Sequence, residues 1–276
     1  MTLLLPLERA PRRARRRPSF WRALTVNIRI IGALMMREGT TRYGHENLGF
    51  FWVMGEPLVL TVGVMGMWTI TGAGHGHGIG IVPFALTGYA LLTLWRHLTG
   101  KFVRLIRQNA GLLFHRNVRL LDIFLARAML EILGIGAAFT IAYIPLAMFG
   151  LVPVIHDPLV MVGALLLEGW FAFSCGLIIA AVSEISEAVE QFVPPILYIT
   201  LPFTGSFYMA AWLPQKWREL ILWSPLVNAQ EMFRSGIFPV AQETYWSASY
   251  LVFWSAALTA IGIPLVQSAQ KRVSLQ

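Results

Sequence analysis

Apolar positions in this chain fall into long uninterrupted runs separated by short polar breaks. Six runs stand out, at about 52–71, 81–100, 124–149, 159–182, 192–210 and 246–267. Each is close to the roughly 20 residues that an α-helix needs to cross the hydrocarbon core of a bilayer. Ahead of the first run the pattern changes. Phe20, Trp21, Leu24, Ile28, Ile31, Leu34 and Met35 recur near helical spacing, with Arg22, Arg29 and Arg37 on other faces. That spacing predicts a helix over 20–37 that lies along a membrane surface and does not span it. Two breaks fall inside the fifth run, at Pro194-Pro195 and Pro202. Proline deletes a backbone donor and bends a helix, so a kinked span is expected there. From Gly205 to Thr244 the chain is aromatic but broken, with Phe207, Tyr208, Trp212, Pro214, Trp217, Trp223 and Pro225. This stretch predicts short re-entrant helices that dip into one leaflet before the last span.

Composition agrees with a polytopic, all-α membrane protein: 56% of the 276 residues are hydrophobic, 13% are charged, and the mean hydropathy is +0.62. An even number of spans puts both termini on one side. The charge pattern says which. Ten arginines precede residue 43, among them Arg12, Arg13, Arg15, Arg16 and Arg17. Arg96, Lys101, Arg104, Arg107, Arg116 and Arg119 border the loop between the second and third runs, and Lys271 and Arg272 follow the last. Placed in the cytoplasm, these residues leave only Lys216, Arg218 and Arg234 outside, as expected if basic residues resist translocation. The net charge of +8 therefore points to anionic lipid and not to nucleic acid, and basic residues next to a membrane helix gain about 1 kcal/mol each at such a surface. Met1 to Arg17 holds no apolar core before its basic run, so it reads as an uncleaved cytoplasmic start.

Enzyme motifs are missing. The chain has no Gly-x-x-x-x-Gly-Lys-Ser/Thr loop for nucleotide phosphates, no His-Glu-x-x-His helix and no Gly-x-Ser-x-Gly elbow. Cys175 is the only cysteine and excludes an intrachain disulfide or a thiolate cluster. His75 and His77 lie in a glycine-rich loop, 71–78, with no further ligand close in sequence, and read as part of a linker. No metal, cofactor or catalytic residue is expected on this chain, and any energy must come from a partner.

Charges inside or beside the apolar runs are costly unless they face protein, water or one another. Arg127 and Glu131 are four apart on one helix and are expected to form a structural pair. Glu168 lies well inside its run with no cation nearby in sequence, and is either a buried neutral acid or a group facing a pore. Glu56, followed by Pro57, marks an interfacial entry. The short acidic loop 183–190, with Glu184, Glu187 and Glu190, is a solvated turn, a partner for the basic inner surface, or a contact with a second subunit.

Three separated motifs carry a resemblance. The first is Arg37-Glu38-Gly39-Thr40-Thr41-Arg42-Tyr43-Gly44 with Leu48-Gly49-Phe50-Phe51-Trp52 and Glu56-Pro57. The second runs from Arg107 through Gly111, Leu112, Leu113, Phe114, Arg116 and Val118 to Asp122, Arg127 and Glu131. The third is Trp223-Ser224-Pro225-Leu226-Val227 with Glu231 and Arg234, where serine stands in the usual place of asparagine. In this order the chain resembles the permease subunit of capsular-polysaccharide export ABC transporters, of ABC-2 type. The resemblance implies a basic tail over 1–19, an interface helix and turn over 20–45, a transmembrane domain over 46–270 and a cytoplasmic tail over 271–276. It also implies a coupling helix in the loop 104–119, and a re-entrant periplasmic segment over 205–244. The surface helix and the loop are then expected to meet an ATPase through Trp21, Arg29, Arg107, Leu112, Leu113, Phe114 and Arg116.

The same resemblance implies a homodimer in a bacterial inner membrane, joined by two copies of a cytoplasmic ATPase that hold ATP and Mg. It implies a lipid-linked acidic polysaccharide as cargo, handed to a periplasmic co-polymerase and an outer-membrane channel. Sugars need a polar or aromatic path, because hydroxyls cannot enter lipid without losing hydrogen bonds. Candidates are Arg37, Arg42, Tyr43, Phe50, Phe51 and Trp52 at the inner mouth, Glu168 within, and Tyr198, Phe207, Tyr208 and Trp212 at the outer mouth. Aromatic belts at the two interfaces are the competing explanation for any single ring. Export of O-antigen, teichoic acid or another glycolipid is the alternative within the class. A secondary transporter and a membrane transferase fit less well, for want of a repeat or of a converging polar cluster.

Overall fold

A computed structural model describes residues 20–43, 59, 62–63, 66–67, 78–113, 119–238 and 243–273. Among the described residues the chain is helix and turn, without strands. The expected first span at 52–71 lies almost wholly outside them.

The elements follow the apolar runs. Helix α1 is Phe20–Tyr43 and α2 is Ile81–Lys101. Two single-turn helices follow, α3 at Leu105–Gln108 and α4 at Ala110–Leu113. The long helices α5, Leu120–Met148, and α6, Pro158–Ser183, come next, then α7, Glu187–Ile199. Short 3-10 turns at Leu201–Phe203 and Ala210–Trp212 lead to α8, Gln215–Ile221, and α9, Pro225–Ile237. Helix α10, Ala248–Val273, closes the chain. Among the described residues three helices are long and apolar enough to cross a membrane: Leu120–Met148, Pro158–Ser183 and the Ala248–Lys271 part of α10.

Three expectations need correction. The surface helix continues to Tyr43, past the turn expected after Arg37, and within it the Thr40 hydroxyl donates back to the Met36 and Arg37 carbonyls. The fifth run does not form one span. Helix α7 has 13 residues, about 20 Å at 1.5 Å per residue, and it ends in a 3-10 turn at Pro202. The single coupling helix expected in 104–119 is instead two turns broken at Asn109, whose side chain donates back to the Leu105 carbonyl. Residues 114–118 lie outside the described ones.

Helix α6 is the hub, packing against α10, α9, α2, α5 and α7. Its start is held by Asp157, whose carboxylate accepts from the Leu159 and Val160 amides at 3.0 and 3.2 Å, ahead of Pro158 in the first helical position. Such a cap satisfies otherwise orphaned donors. Gly236 lets α9 lie against this start, since a side chain there would stand 2.6 Å from the Met161 nitrogen. Two apolar clusters result. One gathers Leu94, Leu98, Phe102, Leu105, Phe124 and Leu177 at the end where the basic loop emerges. The other gathers Leu86, Leu91, Phe139, Ala164, Phe233 and Leu251 toward the opposite end.

Candidate functional site

The opposite end is built around α9. Pro225 at its first position sets the helical torsion in advance, and nearly every residue of the helix is buried. Two charges on it are buried with the rest. Arg234 is 0% exposed. Its guanidinium donates to the carbonyls of Gly205, Tyr208 and Ser206 at 2.8, 2.6 and 2.8 Å, and lies 4.1 Å over the Phe84 ring of α2. Glu231, one turn earlier, accepts from the Ala210 and Tyr245 amides at 3.0 and 3.1 Å. Arg218 of α8 donates to the Ala210 and Leu213 carbonyls and to the Tyr245 hydroxyl. Glu231 and Arg234 thus tie the 201–213 turn and Tyr245 to α9, and Arg218 ties α8 to the same turn and to Tyr245. Burial pushes the Glu231 carboxyl above the usual carboxylate range, against the opposing pull of the Ala210 amide and of Arg234. Burial also lowers the Arg234 guanidinium to about 10, so it stays cationic at neutral pH.

Gly88 on α2 allows the closest approach in this cage. A side chain there would stand 2.4 Å from the Ser206 carbonyl oxygen and 3.3 Å from Arg234. Ser224, where asparagine was expected, makes no cap on α9 and donates instead to the Phe203 carbonyl at 2.6 Å. Asn228 bridges the same region, donating to the Leu222 carbonyl and accepting from the Ser247 amide.

At the basic end the charges pair across helices. Glu131 of α5 is 4% exposed and receives Lys101 of α2 at 3.0 Å, with His97 Nδ1 at 3.2 Å. Arg127 pairs with Glu38 of α1. The expected Arg127–Glu131 pair is therefore replaced: the two residues share a helix, but each reaches a partner on another element, because in a bundle the neighbouring helix brings an opposite charge into a drier place. Arg104 pairs with Glu190, and Arg107 donates to Glu184 at 2.8 Å with Glu190 at 3.6 Å. Glu184 and Glu190 of the acidic loop thus pair with the basic loop, one of the roles expected for them.

The remaining sequence candidates scatter. Tyr198 on α7 is exposed, with its ring 5.2 Å from the Arg96 guanidinium. Phe207 meets Tyr89 edge-on at 6.0 Å. Trp212 stacks on Phe84 at 4.9 Å, and Tyr208 donates to the Pro202 carbonyl. These last three rings sit on or beside the α9 cage. Glu168 is 3% exposed in the middle of α6, and its Oε2 has no hydrogen-bond partner. Trp21, Arg29 and Arg37 are exposed on α1. The side chains of Arg42, Tyr43, Leu112 and Leu113, and the whole of Phe50, Phe51, Trp52, Phe114 and Arg116, lie outside the described residues. Sequence reasoning gave no site role to Glu231 and Arg234, although both stand in the third motif, three apart on an apolar helix. Such a spacing of opposite charges in an apolar helix was the available signal.

With this geometry in view, comparison with known proteins decides the family. A model of the ABC-2 type transporter family matches residues 29–238. The chain belongs to the ABC-2 type transporter family. Among similar proteins is the capsule polysaccharide export inner-membrane protein CtrC of Neisseria meningitidis serogroup B, 37% identical over 264 residues, covering 96% of this chain and 100% of that one. BexB of Haemophilus influenzae, of the same description, is 34% identical over 258 residues, covering 94% and 97%. The polysialic acid transport protein KpsM of Escherichia coli is 25% identical over 245 residues, covering 87% and 93%. The ABC-2 match spans both charged regions, from α1 through the basic loop to the end of α9.

Proposed function

We propose that this chain is the membrane subunit of an ATP-driven exporter that moves lipid-linked capsular polysaccharide out of the cytoplasm. The observation that carries the reading is similarity along nearly the whole length, 37% and 34%, to two inner-membrane proteins of capsule export. The basic end faces the cytoplasm, in keeping with the arginine distribution. Two copies form the path, and two ATPase subunits sit beneath them. The ATPase pair pushes on α1 and on the loop 104–119 as it closes around nucleotide. The absence of any phosphate-binding loop in the sequence supports an ATPase on a separate chain. Arg37 and Arg42 guide the acidic cargo by charge-assisted hydrogen bonds, and the aromatic residues near the α9 cage line its exit toward a periplasmic co-polymerase and an outer-membrane channel.

Deletion of the gene and complementation, read by surface polysaccharide, test this directly. Loss of surface polysaccharide with intracellular accumulation is expected; wild-type surface display in the deletion strain defeats the reading. Leu112→Asp and Phe114→Asp are expected to weaken ATPase co-purification and to stop export. Arg42→Glu is expected to lower surface polysaccharide without loss of the ATPase.

A further inference from the structure

The loop that leaves α2 is anchored at its base in the core and carries arginines that reach another element. Phe102, Leu105 and Ile106 are fully buried, so the base of the loop moves with the core. Between them Arg104 adopts φ 60°, ψ 6°, the only non-glycine residue with positive φ among the described residues. A residue with a side chain is uncommon in that region and persists where its surroundings hold it. Here the turn directs the arginines toward the α6–α7 junction.

Four side chains meet at that junction. Arg104 pairs with Glu190, Arg107 donates to Glu184 at 2.8 Å, and the second Arg107 nitrogen lies 3.6 Å from the other Glu190 oxygen. Exposure is unequal. The arginine side chains are 59% and 42% exposed, and the carboxylates 3% and 4%. The acids are therefore part of the packed framework, one at the end of α6 and one in the first turn of α7. The arginines reach in from the loop. Glu190, near the start of α7, thus offers its carboxylate to both arginines.

Helix α7 leads away from this junction to the other end of the molecule. Along the way its polar links to α2 are slight: Tyr198 meets Arg96 at 3.4 Å, and the Trp95 indole donates to Thr200 at 3.3 Å. Beyond Thr200 the chain enters the 201–206 turn, whose Gly205 and Ser206 carbonyls are gripped by Arg234. One short stretch of chain thus joins the charged junction to the α9 cage.

We propose that Arg104, Arg107, Glu184 and Glu190 are positioning residues for transport, forming a clamp that carries movement of the basic loop into α7 and on to the cage. The proposal rests on the reading above that the loop receives the push of an ATPase. The clamp binds no cargo and no nucleotide; it makes the loop and the start of α7 move as one body.

The test uses the whole transporter, with its ATPase, in membranes. Arg104→Glu and Glu190→Arg are each expected to lower export by about tenfold or more, the loss set by removing a charged hydrogen bond. ATPase co-purification and ATP turnover are expected to persist in both variants. The exchanged pair, Arg104→Glu with Glu190→Arg, is expected to restore export to within about twofold of wild type, since coupled residues are non-additive. Wild-type export in either single reversal, or a parallel fall of ATP turnover and export, overturns the clamp. If the reversed variants do not accumulate in the membrane, Arg104→Gln and Glu190→Gln replace them. Their double variant is then expected to be no worse than either single one in export per ATP hydrolysed, and additive losses overturn the proposal. Export by the wild-type chain with no bound ATPase would count against the functional reading instead, while the charge exchange would still report on the clamp through export alone.

Discussion

The two ends of the molecule hold their charges by different means. At the basic end charges from different elements meet one another: Lys101 and Glu131, Arg127 and Glu38, Arg104 and Glu190. At the α9 end the charges answer backbone. Arg234 holds three carbonyls and Glu231 two amides. A side-chain pair tolerates small shifts, because both partners are flexible and either can be exchanged for an equivalent. A charge that satisfies the backbone fixes the course of the chain itself. One end is therefore held by pairs of side chains, the other by side chains that grip the main chain.

The comparison is broken most readily at Arg234. Replacing it with methionine leaves three buried carbonyls and Glu231 without their cation, at an expected cost of about 3–5 kcal/mol; thermal melting in detergent and the amount recovered from membranes read this out. Arg234→Lys is expected to recover little, because an ammonium cannot span three carbonyls as a planar fork does. Wild-type melting in Arg234→Met ends the distinction between the two ends. Next in size is Gly88→Ala, whose new methyl meets the Ser206 carbonyl at 2.4 Å; about 1–3 kcal/mol is expected from overpacking, again in melting. At the basic end Glu131→Gln is expected to cost about 1–3 kcal/mol, as the bond to Lys101 loses one charge. There the joint replacement Glu131→Met with Lys101→Met is expected to regain most of that loss, as buried ion pairs often yield to apolar pairs. Failure to regain it would show that side-chain pairs are as fixed as the cage. Smallest is Arg96→Ala, which removes a long contact to Tyr198 and is expected to cost under about 1 kcal/mol.

Apolar run length located α2, α5, α6 and α10 to within a few residues, because a helix with its flanks in lipid or protein must be apolar over its length. The same rule misjudged 192–210, where the run continues through Pro202 but the backbone cannot continue its hydrogen bonding and turns instead. The surface helix outran its expected end, because apolar spacing marks the face of a helix and not where its backbone stops hydrogen bonding. For charges, neighbours along the sequence misled: Arg127 and Glu131 looked like a pair at helical spacing, yet partners from α1 and α2 stood closer. The cage was half legible. Glu231 and Arg234 were visible within a motif, but nothing in the sequence says that their partners are backbone groups of the 205–210 turn upstream and of Tyr245 downstream. Phe207 and Trp212, expected along a path, rest their rings on Tyr89 and Phe84 of α2, and Tyr208 reaches the Pro202 carbonyl.

One contact links the far tip of α9 to the start of α6. The Asp157 amide donates to the Gly236 carbonyl at 2.7 Å, and the Asp157 carboxylate accepts from the first amides of α6. A single residue therefore rivets two helices, and a shift at either end is felt at the other.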